Sequence, residues 1–290
     1  MGDVNSRRKG SSKGIALMKM RDVNIKNPEF IKLLNHISEL VDQVFDNEEF
    51  INKQLELGLE HRSPESRLKH GKEPYKVAPH FDILPTHVRS QREKGEYDPC
   101  GEEYLRHMMA LMKTDNGSTI TGGFPNAETF IGAQAFFNDP KFFLGSKLRD
   151  AVYEISADFL GGRSMALCAF YPPDTFIPWH HNGNAPGYNI LLHYNKEGEG
   201  DFYTYDNGEI LTYPDAKGWC CRAGQFISTV PENKHKEKMG YGDEPQIKWS
   251  VNPEESSWHA AHARTNRFTL STIVNHIDIW EDLIDELEGN

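Results

Sequence analysis

Two histidines stand side by side at His180-His181, an asparagine follows at Asn182, and another histidine, His259, lies far downstream behind Trp258. The upstream group closes the run Tyr171-Pro172-Pro173-Asp174-Thr175-Phe176-Ile177-Pro178-Trp179, which reads as an aromatic strand end followed by a proline-rich turn. Imidazole nitrogens bind first-row divalent metals well. Two of them with one oxygen ligand cover one face of the metal and leave the opposite face open, the pattern that suits Fe(II). The oxygen position is anomalous, because Asn182 stands where a carboxylate is expected, and a metal held there keeps one more positive charge. Further on, Arg267 offers a planar fork of donors that matches a carboxylate. Thr269 lies two residues along the same run, so its hydroxyl projects to the same face and can serve the same anion. Tyr171, with an apolar ring and a polar tip, suits the wall of such a site.

These residues need rigid strands beneath them, and the second half of the chain supplies the pattern. Short β-rich runs cover residues 165–171, 188–194, 201–205, 209–213, 219–229, 258–263 and 267–275. Turn clusters such as Gly198-Glu199-Gly200-Asp201, Asp206-Asn207-Gly208 and Pro214-Asp215 separate them. Seven or eight strands at this spacing predict a sandwich or jelly roll, with long helices buttressing one sheet. The first half reads helical. Asn27-Pro28-Glu29 is an N-cap signal, and Phe30, Leu33, Leu34, Ile37, Leu40 and Val44 form an apolar stripe of helical period. Further helices are expected over 48–59, 102–113 and 139–160, the last stopped by Gly161-Gly162, with an acidic amphipathic helix over 278–288. Residues 61–100 read as a connecting region wrapping the surface, and 231–257 as a polar insertion before His259.

The chain thus divides into a basic, mobile arm (1–14), a helical and connecting region packing on the barrel (15–150), a β domain (151–276) and a C-terminal helix (277–290). A net charge of −11 argues against general nucleic-acid binding, which needs a basic surface. No apolar stretch approaches the roughly 20 residues of a membrane span, and the N-terminal segment lacks the apolar run of a secretory signal. Cys100, Cys168, Cys220 and Cys221 form neither a CxxC pair nor a disulfide scaffold, so a reducing, cytoplasmic setting is expected.

About residues 150–276 resemble the 2-oxoglutarate/Fe(II)-dependent oxygenases, in the prolyl-hydroxylase-like branch that includes phage-encoded members. The Tyr171-to-His180 spacing carries the resemblance, with the strand Tyr188-Asn-Ile-Leu-Leu-His-Tyr-Asn195, the turn Gly198-Glu199-Gly200, and the order His259, Arg267, Thr269. The resemblance implies an α+β, mainly β fold, a double-stranded β-helix (jelly roll, cupin-like) with N-terminal buttressing helices. It implies His180, Asn182 and His259 as metal ligands, and it assigns Arg267 and Thr269 to the far carboxylate of 2-oxoglutarate, with Tyr171 orienting it. Fe(II) and 2-oxoglutarate are the implied cofactors, with ascorbate as reductant. The implied reaction is hydroxylation of a small molecule or a peptidyl residue, with succinate and CO2 released.

Several alternatives stay open on residues alone. Asp174, Asp201 or Asp206 can replace the missing carboxylate, or the register His181-Asn182-Gly183 can leave the position to chloride, as in the family's halogenases. A cupin-like metal enzyme without 2-oxoglutarate and a non-catalytic jelly-roll binding module are the other rivals. His262 competes with His259 as ligand, His193 and His276 read as structural, Arg264 as a surface residue, and Arg222 as salt-bridged. Oligomeric state is not readable.

Overall fold

A computed structural model describes residues 20–54, 98–113, 131–133, 137, 143–159, 165–182, 187–226, 228–229, 249–250, 252–274 and 276–290. The basic arm, most of the connecting region, Gly161-Gly162 and most of the polar insertion lie outside the described residues. Two antiparallel sheets make up the β portion. One has six strands in the order β1 (Arg21–Val23), β8 (Gly218–Phe226), β5 (Gly187–Asn195), β12 (Arg267–Val274), β3 (Met165–Tyr171) and β2 (Ile131–Gly132). The other has four, in the order β4 (Thr175–His180), β11 (His259–Ala263), β6 (Gly200–Asp206) and β7 (Glu209–Pro214). A further parallel pair joins β9 (Ser228–Thr229) to β10 (Trp249–Ser250). This arrangement is compatible with the expected sandwich, and the expected strands match to within two residues at most ends.

Strand β4 departs from expectation. Its segment carries Pro178 and no alternation, so it reads as turn, yet all six of its residues are buried in a strand. Proline is tolerated because, among the described residues, β4 is an edge strand bonded only to β11. The free edge is covered where Trp179 N–H donates to Pro99 O at 3.4 Å.

Helix α1 (Pro28–Phe45) begins as its sequence demands: Asn27 Oδ1 accepts from the N–H groups of Glu29 and Phe30 at 3.0 and 3.1 Å. Such a cap contributes about 1 kcal/mol. Its apolar stripe is buried against α3 (Phe143–Glu154, continued as a π turn over Ile155–Phe159), α4 (Ile277–Glu288) and the outer face of the six-stranded sheet. Two indoles pin these helices: Trp219 Nε1 donates to Leu34 O at 2.9 Å, and Trp280 Nε1 to Asn189 O at 3.1 Å. The expectation that helices cover one sheet needs correction. Helix α2 (Glu102–Met112) packs Tyr104, Leu105, Met108 and Met112 on Phe176, Trp179 and Trp258 of the four-stranded sheet. The physical reason is that this sheet also has an apolar outer face, which must be covered. Helix α3 runs across the boundary drawn between residues 150 and 151, and β1 and β2 bring earlier segments into the six-stranded sheet. Among the described residues no helix is long and apolar enough to cross a membrane.

With both outer faces covered, strand alternation decides which side chains meet between the sheets. On β5, Tyr188, Ile190, Leu192 and Tyr194 join the helix-side core, so Leu191 and His193 point inward. On β12, Phe268, Leu270 and Val274 face the helices, which turns Arg267, Thr269 and Ser271 inward. The same rule sends Tyr171 of β3 inward while Phe170 packs outward.

Candidate functional site

One cavity between the sheets is lined by all six residues singled out from the sequence: Tyr171, His180, Asn182, His259, Arg267 and Thr269. At its four-stranded side, His180 ends β4 and His259 begins β11, and the two are direct cross-strand partners. Such partners hold their Cβ atoms about 4.5–5.5 Å apart, and here the ring centroids are 4.1 Å apart. Phe226 stacks on His259 at 4.4 Å and 11°.

Both rings are oriented by backbone two residues earlier. His180 Nδ1 lies 2.9 Å from Pro178 O, and His259 Nδ1 lies 2.8 Å from Ser257 O. A carbonyl only accepts, so each Nδ1 carries the proton and each Nε2 is the lone-pair nitrogen, the arrangement by which metal-binding imidazoles are held. Burial, reinforced by the neighbouring His259, pushes the His180 pKa well below its ordinary value. Burial also lowers His259 to about 4. Both rings are therefore neutral at physiological pH, as coordination requires.

His181 points elsewhere, packing edge-on against Trp258 at 5.2 Å, and does not line the cavity. His262 is buried but also lies off the cavity. None of Asp174, Asp201 and Asp206 lines it; Asp201 is ion-paired to Arg264 and accepts from Tyr203 Oη. Arg264 is thus engaged on the surface. Among the described residues no group of three or more His, Cys, Asp or Glu could hold a metal ion. The donors present are two neutral imidazoles and the Asn182 amide. That set fits a divalent first-row metal through nitrogen and is one anion short of a site with a carboxylate.

The six-stranded side is cationic. Arg267 is fully buried, its guanidinium carbon 5.6 Å from the centroid of the Tyr171 ring. Its Nε lies 3.1 Å from Asp215 Oδ2, and its Nη2 donates to Asp215 Oδ1 at 3.4 Å. Nη1 has no hydrogen-bond partner among the described residues. Beside it, Thr269 Oγ1 is 3.0 Å from His193 Nδ1, and His193 Nε2 likewise has no partner among the described residues. Burial, then the charges of Arg267 and Arg222, push the His193 pKa well below its usual range, so this ring is neutral as well. If the threonine hydroxyl donates to Nδ1, the proton sits on Nε2; if Nδ1 donates, the hydroxyl is released. Either tautomer leaves one donor to spare in the cavity that Arg267 also lines.

His193 was expected to be structural, and here it lines the cavity instead. The signal was present: its neighbours at 188, 190, 192 and 194 are all apolar, which commits the odd-numbered set to the other face. Asp215 carried no such signal, standing in a Pro-Asp turn. Arg222 matches its expected role, ion-paired to Asp215 at 3.1 Å and to Asp22 at 3.3 Å.

No family model and no curated protein matches this sequence. Among solved structures, a Pseudomonas putida prolyl-4-hydroxylase aligns over 70% of this chain and 90% of its own, at 15% identity and a TM-score of 0.25.

Proposed function

We propose that this chain is a 2-oxoglutarate- and Fe(II)-dependent oxygenase on a double-stranded β-helix, hydroxylating a small molecule or a peptidyl residue. The supporting observation is the pairing within one cavity of a neutral imidazole pair, His180 and His259, with a buried anion cradle formed by Arg267, Thr269 and His193. A 2-oxo acid with a second carboxylate has the matching two-ended chemistry. In this reading His180 and His259 hold the metal through Nε2, and Asn182 gives a neutral oxygen. Arg267 Nη1 and the Thr269–His193 pair receive the far carboxylate. Tyr171 walls the cosubstrate. When bound, Fe(II) with 2-oxoglutarate supplies O2 activation coupled to oxidative decarboxylation. The apolar lining, including Leu191, Phe202 and Phe226, excludes water around the reacting groups. Hydroxylation is favoured over halogenation because His180, and not His181, lines the cavity, which places Asn182 rather than Gly183 at the third position of the His-x-ligand pattern.

The test is anaerobic titration of the purified protein with Fe(II) and 2-oxoglutarate, followed by the weak visible charge-transfer band of a chelated 2-oxo acid. The expected result is a band that is lost in His259→Ala and in Arg267→Ala, with succinate formed on admitting air and a substrate library. Metal binding without a band would favour a cupin-like enzyme, and no metal binding would leave a binding module.

A further inference from the structure

The cradle is backed by three buried charges that do not cancel. The Asp215 side chain is fully buried, and it bridges Arg267, also fully buried, and Arg222, which is 2% exposed. Two guanidinium groups and one carboxylate leave the cluster one positive charge in excess. Asp22 approaches Arg222 from the rim, but its side chain is 78% exposed, so solvent screens that contact. The position of Asp215 is built into the fold. Its N–H donates to Gly200 O at 2.9 Å, and a Cβ at residue 200 would come within 2.5 Å of Asp215 Oδ2. Glycine at 200 is what gives the carboxylate its room. Asp215 contacts Arg267 through an ion pair at Nε and a hydrogen bond from Nη2, and neither Nε nor Nη1 has a hydrogen-bond partner among the described residues. Neither Asp215 nor Arg222 lines the cavity, so both act on its occupant through Arg267.

We infer that Asp215 and Arg222 are specificity-determining positioning residues, which set the cradle to accept one singly charged carboxylate and to reject a doubly charged phosphoryl group. The inference rests on the proposed function for the identity of the ligand. The physical reason is charge balance at low dielectric. One carboxylate neutralises the cluster, whereas a dianion leaves an uncompensated buried negative charge.

The probes are 2-oxoglutarate and its analogue with a phosphonate in place of the far carboxylate, titrated calorimetrically into Mn(II)-loaded protein at about pH 8, where the phosphonate is mostly doubly charged. Wild type should prefer the carboxylate by about tenfold or more. Asp215→Asn raises the buried excess to two charges and should lower that preference by about tenfold. Arg222→Gln removes the excess, and should weaken 2-oxoglutarate by about tenfold and the phosphonate further, although Arg222 does not touch the cavity. The double variant returns the excess to one charge and should regain most of the wild-type preference. If Asp215→Asn does not fold, Arg222→Gln and the double variant carry the comparison. A merely structural role would lower stability and leave the ratio of the two affinities alone. An unchanged ratio in the folded variants overturns the inference while leaving the oxygenase reading intact. Wild type that binds neither probe overturns both.

Discussion

The two ends of the cavity are held in place by different means. At the four-stranded side, each imidazole is aimed by a carbonyl two residues back in its own strand or turn, Pro178 for His180 and Ser257 for His259. At the six-stranded side Asp215 and Arg222 are seven residues apart, but the contacts that hold Arg267 and Thr269 are long-range. Thr269 meets His193 across 76 positions of chain, and Arg267 meets Asp215 across 52. The imidazole end is therefore locally aimed and neutral, while the arginine end is a charged network that exists only when several strands are assembled. A local orienting bond survives small shifts of the sheet; a buried ion network does not, because losing one partner strands the others in a low dielectric.

This contrast predicts separable losses. His259→Ala should reduce metal affinity by about 100-fold or more and His180→Ala likewise, whereas Arg267→Met should leave the metal titration intact and cut 2-oxoglutarate affinity by about 100-fold. Titrations of all three variants with Mn(II) and then 2-oxoglutarate check it; equal damage to both ligands in any of them would break the two-ended description. Asn182→Asp supplies the missing anion and should tighten Fe(II) binding by about tenfold, with little effect on the cradle. An unchanged Fe(II) isotherm would place residue 182 away from the metal.

Two smaller effects sharpen the charged end. Gly200→Ala pushes a methyl group against Asp215 Oδ2 and His262 O, and should cost about 1–3 kcal/mol in denaturant unfolding. The control is an alanine at Gly208, where an added Cβ meets nothing within 4 Å, so that only the left-handed backbone, φ 93°, opposes it. One part of the pH dependence comes from His193, which, like His180 and His259, stays neutral when folded, here because of burial and the nearby arginines. The unfolded chain takes up that proton below about pH 6.5 while the folded one does not. Stability is thus full above that value and falls with acidification by at most about 1.4 kcal/mol per pH unit for this group. Denaturant melts between about pH 7 and about pH 5 should show a shallower slope in His193→Gln.

Much of the architecture was legible in the chain. The cap at Asn27, the apolar stripe of α1 and the strands of the second half appear where pattern and turn chemistry put them. Strand β4 was not legible, since Pro178 contradicts an interior strand and only the sheet order reveals an edge. The second helical cover was missed because the Met-rich stripe of α2 names no partner until Trp179 and Trp258 are brought beneath it.

The site divides along the same line. The types and order of His180, Asn182, His259, Arg267 and Thr269, and the missing carboxylate, belong to the sequence alone, because ligand chemistry and strand alternation are local properties. Tertiary structure puts His180, and not His181, in the cavity lining, as the Tyr171 spacing implied, and it alone decided that His193 lies beside Thr269 in the cavity wall and that Asp215 pairs with both Arg267 and Arg222. Those choices depend on the pairing of strands far apart in the chain, and on the cost of leaving a buried charge without a partner once they have paired.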